Sequence, residues 1–460
     1  MRKIISYPRH FRAILHLGVP LIGGHLAHFS IGLTDTLMMG WYSAVGLAAL
    51  VLGSTLFFIF FIVGAGFAAA IMPLVASAEA QGDQSKVWRT TRMGCWLSAL
   101  FAVLALPVFW WSSSLLQLFE QAPLLADEAQ RYLRIAGFAI APALLMVVLR
   151  SHLAALGKTR VVMFITMAGV GLNGLMNYVL IFGYWGAPEL GIQGAGVASL
   201  LVNLAMFVAV AVYAFQTAPE NALFLRLWRP DWEVFGTVAP MGVSIGMTNL
   251  AETGLFAGSA IMMGWLGTVP LAAHGIAMQL TAATFMVHLG LSNTATIRAG
   301  HALGRGDEAN LRRGAVAVLL ISFGVVLATI YALVVHPQAL IKLFLNSSDE
   351  NYAAILQTGT VLLALAALFQ LMDSAQVMAL GLLRGVQDAA VPMLIASVSY
   401  WLIGVPAAYY LGFVLGWQGP GIWLGLVVGL AAAATLLMAR FWLRSCKINS
   451  TAQMEKLDKG

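Results

Sequence analysis

Three acidic residues stand alone in long uncharged stretches of this sequence. Between Arg12 and Glu79 the one charged residue is Asp35, in IGLTDTLMMG. Between Glu233 and Arg298 it is Glu252, in NLAETGLF, and between Glu350 and Arg384 it is Asp373, in FQLMDSAQ. At the centre of a bilayer a charge costs roughly 2.5–3.5 kcal/mol on insertion scales, and such groups usually face a water-filled cavity and mark ion or proton pathways. A carboxylate so placed can bind a proton, a metal cation or an organic cation. The stretches hold no central Lys or Arg, so all three acids are expected to be unpaired.

Polar residues recur beside the acids at helical spacing. Asn249 and Thr248 lie three and four residues before Glu252, and Gln370 and Gln376 lie three residues to either side of Asp373. Such neighbours share a face with their acid and are candidate hydrogen-bond donors to it. His28, seven residues before Asp35, shares its face and reads as an interface histidine rather than a proton relay. Asn173 and Asn177, in GLNGLMNYVLIFG, project from one face at i, i+4. They could coordinate an ion, or tie helices together as membrane amides often do.

The elements that must position these groups are membrane helices. The chain has 460 residues, 60% hydrophobic and 10% charged, and its mean hydropathy is +0.86. Soluble domains carry about 25% charged residues. The apolar runs are near the ~20 residues that cross a bilayer as a helix, and FFIFFIVGAGFAAAIMPLV lacks the alternation of membrane strands. Twelve spans are expected, at 13–40, 47–75, 93–113, 132–149, 161–185, 193–216, 235–265, 271–297, 314–335, 353–382, 391–414 and 421–443. The basic start followed by an apolar run reads as a first span that stays in place rather than a signal peptide. At 1.5 Å per residue, Glu252 and Asp373 fall about 20 and 16 Å from a helix end, near the midplane, and Asp35 about 9 Å from the outer end.

Basic residues set the orientation. Of 25 Lys and Arg, 22 lie in alternate interruptions and at the termini; Arg131, Arg134 and Lys342 alone lie in the opposite set. The positive-inside rule makes the first set cytoplasmic, with both termini inside, in a plasma or bacterial inner membrane. The net charge of +6 is therefore a topology signal, and no nucleic-acid partner is expected.

The two halves repeat. MGWYSAVGLAAL at 39–50 matches MGWLGTVPLAAH at 263–274, and Gly82-Asp83 matches Gly306-Asp307, both at an offset of 224. The expected architecture is all-α, with twelve transmembrane helices in two six-helix lobes, 1–222 and 223–460, related by a parallel pseudo-two-fold repeat. Parallel repeats favour a midplane substrate site and alternating access. The acids do not follow the repeat: at offset 224, Asp35 falls on Ser259 and Glu252 on His28. An architectural need would have been duplicated with its helix, so the difference points to function.

Other chemistries find little support. Cys95 and Cys446 form no motif. LGKT at 156–159 lacks the upstream glycine of a phosphate loop, and GAGFAA at 64–69 lacks the strand context of a dinucleotide fingerprint. No loop would house a nucleotide-binding domain, so no cofactor is expected and the energy source is an ion gradient. A channel would need a repeated ring of ligands, and an enzyme a polar constellation beyond His274 and His288, fourteen residues apart. A lipid-linked precursor flippase would need a cationic cavity.

The segments VPLIGG…TDTLMMG, AIMPLVASAEAQGD, LNGLMNYVLIFG…GIQGAGVAS, LAETGLF…MMGWLGTVPLAAHGIAMQL and TIRAGHALGRGDEANLRRG resemble, in order and over nearly the whole chain, the multidrug and toxic compound extrusion transporters. Glu252 and Asp373 together match their NorM-like branch. The resemblance implies an antiporter that exports cationic, amphipathic compounds against an inward Na⁺ or H⁺ gradient, with H⁺ or Na⁺ displacing the organic cation at the carboxylates. It implies an N-lobe cation site of Asp35, Asn173, Asn177 and Ser199, and a C-lobe site of Glu252 and Asp373. Na⁺ is the candidate metal at any of the three acids. Some relatives carry a Tyr near Phe285, and the hydroxyl is missing here. Small organic cations and membrane lipids are the expected partners, and a monomer the expected state.

Overall fold

A computed structural model describes residues 5–217, 231–345 and 350–448 of the chain. Among these residues there are helices and turns and no strand. Twelve helices are long and apolar enough to cross a membrane: α1 Tyr7–Tyr42, α2 Ala44–Gln81, α3 Gln84–Trp110, α4 Pro123–Ala155, α5 Thr159–Phe182, α6 Ile192–Thr217, α7 Trp232–Trp265, α8 Thr268–Arg305, α9 Glu308–Val335, α10 Tyr352–Gly385, α11 Ala390–Val414 and α12 Gln418–Ser445. Each expected span has its helix, and many helices run several residues past the apolar segment into polar sequence. A backbone hydrogen-bond ladder does not stop where apolar side chains stop. Arg150, Arg298 and Arg384, which the sequence places in connections, therefore lie within α4, α8 and α10.

The repeated Gly-Asp pair has a physical cause. Gly82 ends α2 in the left-handed conformation, with φ 76°, and the Asp83 N–H returns to the Ala78 carbonyl at 3.0 Å. Asp83 then caps α3, its carboxylate accepting from the Lys86 N–H at 2.9 Å. Gly306 (φ 61°) and Asp307 do the same between α8 and α9, with Asp307 accepting from the Asn310 N–H at 3.1 Å. A left-handed glycine stop followed at once by an aspartate cap joins two long helices without a loop.

The chain forms two compact units, Gly23–Gly246 and Met1–Ile22 with Met247–Gly460. Their limits fall inside α1 and α7, so each of these helices contributes to both units. The lobe boundary expected at 222/223 lies outside the described residues.

The C-terminal unit has a continuous core that includes Leu362, Leu363, Leu383, Trp423, Leu430 and Phe441. Its helices approach closely through small residues: Gly381 and Gly385 of α10 lie against Ser292, Thr296 and Ala299 of α8, and Gly425 of α12 lies against Ala408 of α11. In lipid, where apolar burial between helices gains little, such contacts and interhelical hydrogen bonds carry association. Ser292 Oγ donates to the Val377 carbonyl at 2.8 Å, and Thr296 Oγ1 to the Gly381 carbonyl at 2.8 Å. In the N-terminal unit, Leu50, Phe109, Leu133, Ile140 and Leu144 form one cluster, and Leu149, Val202 and Met206 belong to another.

Candidate functional site

The N-terminal unit holds one acid site. Asp35 lies two turns before the end of α1, half-buried. The Asn173 amide donates to Asp35 Oδ1 at 2.8 Å and the Asn177 amide to the same oxygen at 2.6 Å. Both asparagines are fully buried. Their spacing of one helical turn on α5 lets both amides converge on a single oxygen. Tyr132 of α4 is 5% exposed. It interacts with Ser199 of α6 and lies within electrostatic reach of Asp35. Ser199 therefore borders the site through Tyr132, a residue at the very edge of its apolar segment in the sequence.

His28 is not part of this site. Its ring stacks near Phe61, with centroids 6.1 Å apart, and it shares its surroundings with His25 and Arg150. The sequence places Arg150 in a connection, and the structure places it within a helix. Arg150 lies five residues before the end of α4 and faces two histidines, because that helix continues to Ala155.

The C-terminal unit holds the second site, built from α7, α10 and α11. Glu252 of α7 is 8% exposed and Asp373 of α10 is 1% exposed. The two carboxylates lie within electrostatic reach of each other. The Gln376 amide, one turn beyond Asp373, donates to Glu252 Oε1 at 2.9 Å. The Tyr400 hydroxyl of α11 donates to Gln376 Oε1. Asp373 Oδ1 is buried and has no hydrogen-bond partner. Buried polar atoms are nearly always satisfied, and a carboxylate oxygen accepts when ionised and can donate only when protonated. Such an oxygen has the chemistry to bind a proton or a cation.

Sequence proximity does not predict who bonds whom. Gln376 reaches the acid on the neighbouring helix rather than Asp373 on its own. Gln370 turns to α8, donating to the Thr281 carbonyl at 3.1 Å and to Thr284 Oγ1. Asn249 accepts from Arg384 at 3.1 Å. Side chains three residues apart on a helix lie side by side and point outward together, so their strong bonds cross to the next helix.

Two groups in this site were not legible as such. Arg384 reads as a loop residue, yet it lies on α10, bonds Asn249 and is within electrostatic reach of Glu252. Among the described residues it forms no ion pair with Glu252, but it brings a positive charge toward that acid. Tyr400 is fully buried in a π segment, Ser399–Gly404, within α11. The next residue, Trp401, donates its indole N–H to the Ala251 carbonyl at 3.2 Å. α11 thereby bonds α7 directly at Ala251, and reaches Glu252 only through Gln376 of α10. Such π insertions occur often at functional sites, and the signal open to sequence reading was Ser-Tyr in an otherwise apolar span.

His274 and His288 serve the core. His274 packs edge-on to Trp423 at 5.6 Å, and His288 Nδ1 pairs with Ser322 Oγ at 3.1 Å. Among the described residues no group of three or more His, Cys, Asp or Glu could hold a metal ion. Phe285 packs against the C-terminal core.

Comparison with known proteins identifies relatives of the chain and of its fold. The family model MatE matches residues 20–179 and 244–410. A probable multidrug resistance protein NorM of Rhizobium meliloti is 44% identical over 95% of this chain and 94% of its own length. Another of that name from Pseudomonas putida is 38% identical over 94% of each chain. Among solved structures, the eukaryotic MATE transporter AtDTX14 superposes with a TM-score of 0.87 at 17% identity, over 98% of this chain and 99% of that one. A MATE protein in a bent conformation gives 0.85 at 18% identity, over 98% and 100%.

Proposed function

The chain belongs to the MatE family, and from this premise we propose that it is a multidrug efflux transporter. It exports small cationic, amphipathic compounds across the bacterial inner membrane in exchange for Na⁺ or H⁺. It is a multi-pass carrier rather than an enzyme, with both termini in the cytoplasm and two six-helix lobes as its moving parts. The name multidrug resistance protein, given to relatives at 44% and 38% identity, supports the substrate class.

One observation carries the reading: the buried, unpartnered Asp373 Oδ1 beside Glu252. An organic cation and a coupling ion compete for this pair. When H⁺ or Na⁺ occupies it, the negative charge that held the organic cation is neutralised and the cation leaves. Mutual exclusion of this kind is what exchange coupling requires. Asp35, with its two amide donors, supplies a further cation position in the N-terminal unit.

The lipid-linked precursor alternative gains cations within the helices, among them Arg150 beside His25 and His28. It stays second because the buried group without a hydrogen-bond partner in the C-terminal site is a carboxylate oxygen, which suits a cation rather than a phosphate.

The test is ethidium efflux from membrane vesicles energised by an imposed proton gradient or an imposed Na⁺ gradient, one at a time. Asp373→Asn should abolish efflux under the effective gradient while the protein still inserts. Undiminished efflux in that variant refutes the assignment.

A further inference from the structure

The end of the C-terminal unit where α8 stops and α9 starts contains a cavity of about 70 Å³. It belongs to neither acid site. His10, Arg298, His301, Arg305, Asn310 and Gly314 are among its lining residues, and none of the described lining residues is acidic. The volume holds roughly five waters or one compact anion, at about 10–15 Å³ of such space per water.

The hydrogen bonding of His10 gives the cavity its sign. Arg298 donates a guanidinium N–H to His10 Nδ1. A guanidinium has no acceptor, so Nδ1 must be the lone-pair nitrogen and Nε2 must carry the hydrogen. His10 is 1% exposed, and no acceptor stands in hydrogen-bonding position at Nε2. The Asn310 side chain interacts with the ring and its Oδ1 accepts from the Ile5 N–H at 2.9 Å, but it does not stand in hydrogen-bonding geometry to Nε2. Arg298 Nε is a second buried donor without a partner. Two buried donors thus share a cavity lined by further basic side chains.

The neighbouring charges are otherwise engaged. Asp307 caps α9 and accepts from the Asn310 amide at 2.7 Å. Glu308 pairs with Arg312 at 2.8 Å. Arg313 donates to the Ile5 carbonyl at 3.3 Å and stacks over Tyr7 at 5.7 Å. Arg305, in the last turn of α8, is exposed and takes part in no ion pair among the described residues.

We propose that this cavity is an anion site for a phosphate group, held by His10 Nε2–H, the Arg298 guanidinium and Arg305. Basic pockets between membrane helices on the cytoplasmic side bind the head groups of anionic lipids, and the positive-inside distribution assigns this end to the cytoplasm. The lipid phosphate is the source we favour; free phosphate carries the same chemistry.

The full-length protein in detergent tests it. Thermal melting is followed during titration with short-chain phosphatidylglycerol, short-chain phosphatidylcholine or inorganic phosphate at matched ionic strength. A saturable rise in Tm with phosphatidylglycerol alone supports a lipid head-group site. A rise with inorganic phosphate as well supports the same site open to free anion. Equal rises with phosphatidylglycerol and phosphatidylcholine overturn it, because acyl chains then explain the effect. Arg305→Gln alters an exposed residue and should weaken the phosphatidylglycerol response at least about tenfold. Gly314→Val keeps every charge but fills the cavity, since even a Cβ there would stand 3.6 Å from His10 Nδ1 and 4.0 Å from Arg298 Nε. It should weaken binding to a similar extent. Undiminished binding in either variant overturns the site.

Discussion

Asn177 donates its amide to Asp35 across 2.6 Å, and Asn173, one turn earlier, reaches the same oxygen at 2.8 Å. Two donors on one oxygen leave the other free for a cation. Hydrogen bonds to charged groups contribute about 1.5–3 kcal/mol each. Asn177→Leu should therefore slow ethidium efflux by about tenfold or more at unchanged expression. Efflux at the parental rate would show that the pair is structural glue.

Glu252 and Asp373 act as a unit in our reading, so their losses should not add. Glu252→Gln and Asp373→Asn should each remove nearly all efflux, and the double variant should be no worse than either. Asp35 is in the other unit. If its site works separately, binding of a radiolabelled organic cation should survive Asp35→Asn and be lost in Asp373→Asn. The reverse pattern would move the drug site to the N-terminal unit.

Tyr400 is a third member of the C-terminal site. Tyr400→Phe removes only the hydroxyl and leaves Gln376 Oε1 buried without a donor, at a cost of about 1–3 kcal/mol. The expected outcome is a lower melting temperature and slower efflux. Parental values of both would rule out a role for the hydroxyl.

Asp231, just before α7, is tied to α3 by Arg89. The guanidinium donates to both oxygens of Asp231 and to Glu233 at 2.6 Å. Hydrogen bonds from Arg89 hold the Asp231 carboxyl below the usual carboxylate range. A depressed folded value means stability that is complete above the unfolded pKa of about 3.9 and is lost as pH falls through the folded value. The pair is partly exposed, 34% and 23%, so the contribution is under about 1 kcal/mol. Asp231→Asn should lower Tm slightly at pH 7, and the difference from the parent should shrink as pH falls through the depressed folded value of the parent carboxyl.

Gly82 tests the cause of the repeat. A Cβ at Gly82 would meet nothing within 4 Å, so Gly82→Ala is penalised by its φ of 76° alone. The cost should be about 1 kcal/mol, and Gly82→Asn, which tolerates this conformation better, should cost less. Equal melting of the alanine and asparagine variants would discount the left-handed stop.

Spans and lone acids were legible because each rests on one local rule: about twenty apolar residues make a crossing helix, and a charge inside one is exceptional. Asp35, Asn173 and Asn177 were also legible as polar groups, but their convergence was not, since it depends on how α1 and α5 pack. Arg150 and Arg384 were misplaced for a definite reason. Charged residues mark the end of an apolar run, and a helix can outlast that run by several residues. Tyr400 was hidden because its role depends on a π segment, and a single extra residue in a turn leaves no trace in hydropathy.

The hydrogen bonds through Gln376 have a direction. Ionised, Glu252 can only accept, so the amide must turn its NH₂ toward it and its oxygen toward Tyr400. A proton placed on Glu252 Oε1 sets donor against donor. Relief comes when the amide turns over and presents its oxygen to the acid. Its NH₂ then faces Tyr400, whose hydroxyl must stop donating there and accept instead. One amide thus writes the charge state of α7 into the hydroxyl orientation of α11, with no other group needing to move.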